Sequence, residues 1–150
     1  MKKLRSFLYV LLQWTWGLPQ NLAGLIWLLA YKKQRHERYY GAIVTYYENR
    51  LRLSRKGCFA VGMFIFIDGA IQEGQLKKIL VHEYGHTIQS ILFGPLFSLF
   101  IGLPSVLWAG RFNKNRRAYR ERGIKYSSRY PESGANRWGK RVTGEQAIDW

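Results

Sequence analysis

The chain has 150 residues, with 24 Lys and Arg against 9 Asp and Glu, which gives a net charge of +15. This length is enough for one domain and excludes two independent cores, while the charge favours contact with an anionic partner, either nucleic acid or a phospholipid surface. The single Cys58 excludes an internal disulfide framework and favours a reducing compartment.

The first predicted elements lie in residues 6–31, which carry no charged side chain. The basic start resembles that of a signal peptide, but the apolar stretch is too long and lacks a small-residue cleavage site. Pro19 disfavours a continuous helix, so the sequence predicts two short helices, 7–17 and 21–33, or one kinked span. We expect a retained membrane element, and the alternative is a buried helical hairpin of a soluble fold.

Strands are predicted next. The β-branched and aromatic segment 42–47 is typical of a strand, and a short strand is possible at 51–53. Residues 58–68, "CFAVGMFIFID", form the strongest strand pattern, and their apolar end indicates cover on both faces. A helix then runs from about Gln75 until Gly94 and the following proline end it.

The C-terminal half alternates between apolar and basic segments. Residues 91–110 carry no charge but contain two prolines, which favours a re-entrant or interfacial segment over a straight span. Residues 111–126 hold seven basic side chains and one acidic side chain, and we interpret them as a solvated, lipid-facing arm rather than a nucleic-acid site. One more helix is predicted near 131–139.

The segment "HEYGH" carries the clearest chemical signal. His82 and His86 are four residues apart on the predicted helix, so both imidazoles point the same way and can hold one ion. Glu83 is rotated away from that direction, but it can reach a water on the metal and act as general base. Catalytic zinc takes three protein ligands, so a third remains to be found.

At this point the chain resembles the gluzincin metallopeptidases, which combine HExxH on one helix with a Glu on a later helix. In the membrane-bound HtpX-type and CAAX-prenyl endopeptidase-type members, that Glu begins an E-x-x-A-D motif. Here Glu132 and Ala135 match, whereas Asn136 replaces the Asp that braces a zinc-binding histidine in that family. The chain also resembles a group of small bacterial membrane proteins with "LPQNL", "HEYGHTIQS" and "E..AN". The resemblance implies zinc as cofactor and Glu132 as ligand.

The other candidate ligands have simpler interpretations. His36 lies in a charge run, and Asp68 precedes a glycine and is expected to form a turn. Glu121 sits among basic residues, whereas Glu145 and Asp149 lie in a terminal segment liable to fray. We therefore predict Glu132 as third ligand and Asn136 as the partner behind one imidazole. The sequence leaves the oxyanion stabiliser open among Tyr126, Tyr130 and Arg137.

Together these patterns predict one α+β zincin-like domain over residues 1–150, with a short antiparallel sheet packed on the HExxH helix. Membrane-embedded or interfacial apolar helices are expected at 6–31 and 91–110, in a bacterial inner-membrane protein whose active site faces the cytoplasm. The expected activity is zinc-dependent hydrolysis of peptide bonds near an anionic phospholipid surface, with a peptide or a membrane protein as substrate. The alternative is a non-catalytic, basic, membrane-bound scaffold or nucleic-acid-binding protein.

Overall fold

The computed structural model describes residues 2–48 and 57–149, so the possible strand at 51–53 lies outside the described residues. The helices are α1 (Lys2–Thr15), α2 (Leu18–Ala30), α3 (Glu73–Phe93), α4 (Leu103–Lys114), α5 (Arg116–Glu121) and α6 (Glu132–Thr143). The strands are β1 (Arg35–Tyr39), β2 (Ala42–Tyr47), β3 (Phe59–Val61) and β4 (Phe64–Asp68). A 3₁₀ turn (Gly94–Leu96) and a π-helical turn (Ser98–Gly102) connect α3 to α4, and a second 3₁₀ turn (Tyr126–Ser128) precedes α6.

The four strands form one mixed sheet in the order β1-β2-β4-β3. The β1–β2 and β3–β4 pairs are antiparallel, but β2 and β4 run parallel, with Ile43 opposite Phe64. The predicted purely antiparallel sheet is therefore wrong. The chain reverses direction at the tight turn between β3 and β4. As a result, β4 lies beside β2 and runs in the same direction as β2.

The segment predicted as one strand, 58–68, is two strands joined by a tight turn. Gly62 at the turn has φ +61, and a Cβ there would lie 2.0 Å from Asn21 Oδ1. A glycine fits because it alone adopts this conformation without strain and leaves room for α2. In β4, Phe64 and Phe66 contact the aromatic side chains of Trp14 and Trp27, so this side of the strand packs against the α1–α2 hairpin.

The α1–α2 hairpin is joined to the rest of the molecule by buried amide side chains. Gln13 donates to Thr87 O at 2.8 Å, and Gln20 donates to Ser90 Oγ at 3.0 Å. Asn21 accepts a hydrogen bond from the backbone N–H of Met63 at 2.8 Å. Gln13 thus holds α1 against α3, and the polar residues of "LPQNL" hold α2 against α3 and the β3–β4 turn.

Neither apolar segment forms one long helix. A turn at Gly17 divides the first of them between α1 and α2, with 14 and 13 residues, whereas a span needs about 20. Residues 91–110 are divided among the end of α3, two irregular turns and α4. Within the described ranges, no helix is both long and apolar enough to cross a bilayer. The predicted fold class with membrane-embedded helices and the predicted inner-membrane location are therefore wrong.

Helices α3 and α6 pack with their backbones in close approach. A Cβ added at Gly85 would lie 1.9 Å from Ala135 O, and one added at Gly139 would lie 2.0 Å from Val81 O. No side chain larger than hydrogen fits at either position without separating the helices. The sequence therefore sets the short distance between the HExxH helix and the helix that begins with Glu132.

Candidate metal centre

The HExxH motif lies on α3, the helix predicted for it, in the buried part of the molecule. The four-residue spacing places the rings of His82 and His86 on one side of the helix, with centroids 5.0 Å apart. Both side chains are buried. Their Nε2 atoms both face the carboxylate of Glu132 on α6.

Glu132 supplies the third group from the first turn of α6. Its Oε2 lies 3.0 Å from His82 Nε2 and 3.2 Å from His86 Nε2, and its side chain is 1% exposed. In a tetrahedral zinc site with ligand bonds of about 2.0–2.1 Å, neighbouring ligand atoms are about 3.3 Å apart. His82, His86 and Glu132 therefore form a buried group that can hold a metal ion.

The carboxylate of Glu132 is held as an anion by its neighbours. Burial alone would raise its pKa, but the contacts with His82 and His86 outweigh burial and keep the pKa well below its ordinary value. Ser105 Oγ on α4 donates to the other oxygen, Oε1, at 2.5 Å. One carboxylate oxygen is thus bonded to protein, and the other faces the two imidazoles.

Two neutral amides orient the imidazole rings from behind. His82 Nδ1 lies 2.8 Å from Asn136 Oδ1, and His86 Nδ1 lies 2.8 Å from Gln89 Oε1. In each amide the NH₂ group donates to a backbone carbonyl, that of Ile148 for Asn136 and that of Pro131 for Gln89. The amide oxygens therefore accept from Nδ1–H, which leaves the Nε2 lone pairs for a metal.

Glu83 lies beside this group without joining it. Its side chain is buried, and Oε2 has no hydrogen-bond partner within residues 2–48 and 57–149. The pKa of Glu83 is raised to about 7, mainly because burial disfavours the charged form; His82 opposes this shift, and the charge of Glu132 adds to it. A buried carboxyl without a hydrogen-bond partner lowers the stability of the fold, and groups with perturbed pKa values are common at functional sites.

The residues that the sequence did not favour as metal ligands lie outside the ligand group. Glu121 pairs with Arg117, Glu145 with Lys77 and Asp149 with Lys125, each at the surface. His36 contacts Thr45 on the neighbouring strand. Asp68 caps the turn after β4 by accepting from the N–H of Ala70. None of these side chains belongs to the group formed by His82, His86 and Glu132.

Of the three oxyanion candidates, the structure brings only Tyr126 to the group. Its hydroxyl interacts with Ser105 and Glu132, and its pKa is raised by burial and by the charges of Glu132 and Glu83. Tyr130 is exposed and donates to Phe100 O. Arg137 is also exposed, with its guanidinium 5.9 Å from the ring centroid of Trp138. Tyr126 alone of the three can act near the carboxylates.

Sequence reasoning missed Gln89 and Ser105. Gln89 stands three residues after His86 on the same helix, and this spacing is a signal that could have identified it as a hydrogen-bond partner. Ser105 lies in an apolar segment 27 residues from Glu132, and its contact depends on how α4 packs against α6. No local pattern in the sequence indicates that contact.

Comparison of the chain with protein-family models, with curated proteins and with solved structures finds no match in any of the three. The function must therefore be inferred from the geometry and chemistry of the site.

Proposed function

We propose that the protein is a zinc-dependent peptidase in which His82, His86 and Glu132 hold the metal. The observation that carries this proposal is the convergence of two buried imidazole nitrogens and one buried carboxylate oxygen, with 3.0 and 3.2 Å between the oxygen and the nitrogens. Two His and one Glu are a donor set of catalytic zinc, which leaves a fourth position for water. The resemblance of HExxH and E-x-x-A-N to gluzincins favours peptide bonds as the substrate class.

The residues around the metal have separate roles. When bound, zinc acts as a Lewis acid and lowers the pKa of a water ligand to about 7. With a metal held by His82, His86 and Glu132, Glu83 would accept the proton of the attacking water and deliver it to the departing amine. The hydroxyl of Tyr126 donates a hydrogen bond to the carbonyl oxygen as its negative charge develops.

Metal content and hydrolysis test the proposal together. Purified protein should contain about one zinc per chain and should cleave peptides in a fluorogenic library of mixed sequence. Glu83→Gln should retain the metal and lose cleavage, because Glu83 acts on the water and not on the ion. A double variant, His82→Ala with His86→Ala, should lose both.

Two results would contradict the proposal. If Glu83→Gln cleaves peptides at the wild-type rate, Glu83 is not the base and the activity comes from another source. If the well-folded wild type contains no metal and cleaves no peptide, the non-catalytic alternative is favoured.

A further inference from the structure

The chain returns to the metal centre after α6. Ile148, in the C-terminal segment, is buried, and its backbone N–H donates to Lys78 O on α3 at 3.1 Å. Its carbonyl accepts from Asn136 Nδ2 on α6 at 2.8 Å. One backbone unit of the terminal segment therefore bonds to both helices of the centre.

The two ends of the Asn136 side chain make opposite kinds of hydrogen bond. Oδ1 accepts from His82 Nδ1, whereas Nδ2 donates to Ile148 O. An amide can do both, but an ionised carboxylate has only acceptor atoms. An Asp here would place an oxygen against the Ile148 carbonyl, with no proton between them. The local structure thus explains why Asn136 occupies the position at which the gluzincins that this chain resembles have Asp.

Asp149, the last residue of this segment that the structure describes, also makes hydrogen bonds to the rest of the molecule. Asp149 accepts from Lys125 Nζ at 2.5 Å and from Ser127 Oγ at 3.3 Å, and both partners precede α6. Since Asp149 and Lys125 are exposed, we expect this pair to add little stability. The bonds that bear on the metal centre are those of Ile148.

We propose that Ile148 is a positioning residue, and that residues 147–149 form a C-terminal clamp that orients the Asn136 amide and, through it, His82. The inference rests on the proposed metal centre but concerns how a ligand is held, not whether peptides are cleaved. The bonded series runs from Lys78 O through Ile148 and Asn136 to His82 Nδ1. Loosening the clamp should weaken metal binding although Ile148 supplies no ligand to the ion.

A matched pair of variants separates orientation from packing. Ile148→Pro removes the N–H that bonds Lys78 O, whereas Ile148→Ala retains both backbone bonds and loses only side-chain contacts. Zinc affinity, measured by competition with a chelator on protein shown to be folded, should fall about tenfold or more in Ile148→Pro. It should stay within about twofold of wild type in Ile148→Ala, and Glu145→Gln, in the same segment, should also leave it unchanged.

Two further variants test the amide itself. Asn136→Asp should weaken zinc binding about tenfold, although Asp is the residue found at this position in the gluzincins that the chain resembles. In an Asn136→Ala background, Ile148→Pro should cause no further loss, because the clamp then has no amide to orient. Wild-type or tighter affinity in Asn136→Asp, or equal affinity in Ile148→Pro and Ile148→Ala, would overturn the inference.

A measurement on the metal-free protein tests the clamp independently of the proposed peptidase activity. In zinc-free protein, hydrogen exchange of the Asn136 side-chain NH₂ should be slow in wild type and Ile148→Ala, and at least about tenfold faster in Ile148→Pro. Unchanged exchange in Ile148→Pro would refute the clamp. Absence of peptide cleavage alongside the expected exchange and affinity changes would refute the proposed function and leave the clamp intact.

Discussion

At the scale of single residues, the site is organised around the carboxylate of Glu132. Its Oε2 faces both histidines, and its Oε1 accepts from Ser105. Because the carboxylate is almost completely buried, its ionised form is costly without a positive charge beside it, and a bound metal ion would supply that charge. The chain therefore keeps an anion at a place that suits a metal cation.

The ligand role of Glu132 can be tested against an acid outside the group. Glu132→Ala should cut zinc affinity sharply, because it removes one of three protein ligands. Glu145→Ala, which loses a surface contact with Lys77, should bind zinc like wild type. Isothermal titration of both variants makes the comparison. Full zinc occupancy in Glu132→Ala would assign the third position to another residue and exclude the gluzincin interpretation.

Gln89 gives a second prediction at this scale, for a residue that sequence reasoning did not select. Gln89→Ala removes the oxygen that accepts from His86 Nδ1, so zinc affinity should fall by roughly 10- to 100-fold. Gln75→Ala, an exposed change on the same helix, is the matched control and should have no effect. A chelator competition assay compares the zinc affinities of the two variants, and equal affinities would show that Gln89 does not contribute to zinc binding.

At the scale of elements, the distance between α3 and α6 determines whether the ligands meet. Gly85 lies within the HExxH motif itself and contacts Ala135, one helix turn after Glu132. Gly139 makes the equivalent contact with Val81 a turn further on. The histidines reach the carboxylate only because the backbones touch at these two positions.

Gly85→Ala should therefore separate the two helices. The added methyl group overlaps Ala135 O, so we expect a loss of about 1–3 kcal/mol in the free energy of unfolding and a clear loss of zinc affinity. Gly74→Ala is the control, since no atom lies within 4 Å of a Cβ there and Ala favours helix. Chemical denaturation and zinc titration of both variants test this. A Gly85→Ala protein as stable and as tightly metal-binding as wild type would contradict the close contact.

Local signals in the sequence predicted the elements that carry the ligands. The α3 helix was expected from about Gln75 to Gly94 and runs from Glu73 to Phe93, and the helix that begins at Glu132 follows its proline as expected. The strand β1 was missed because its alternating charged side chains resemble a solvated run, and only pairing with β2 makes it a strand. Ser105 and the clamp depend on long-range packing, which has no periodic signal.

At the scale of the whole molecule, metal binding and folding are linked. The ligand group exists only when α3 and α6 are docked, so an ion that binds it favours the folded state over the unfolded chain. A bound ion also reduces the free-energy cost of burying the Glu132 carboxylate, since the carboxylate then faces a cation.

Zinc should therefore raise the thermal stability of the wild type. Free zinc at about 100 times Kd adds about 2.7 kcal/mol, which corresponds to roughly 5–10 °C in Tm for a domain of this size. Circular dichroism melts with zinc and with a chelator measure the shift. The variant with His82→Ala and His86→Ala should melt at the same temperature in both. A wild-type Tm that is insensitive to zinc would show that the group does not bind it.

The distance in sequence between the ligands affects how the protein is made. His86 and Glu132 are 46 residues apart, so the two histidines leave the ribosome a few seconds before the carboxylate does. During that interval the nascent helix offers an incomplete pair of nitrogens, open to any divalent ion in the cell. Correct loading then depends on exchange after α6 docks. The identity of any ion found in purified protein will therefore reflect the metal supply of the host that produced it.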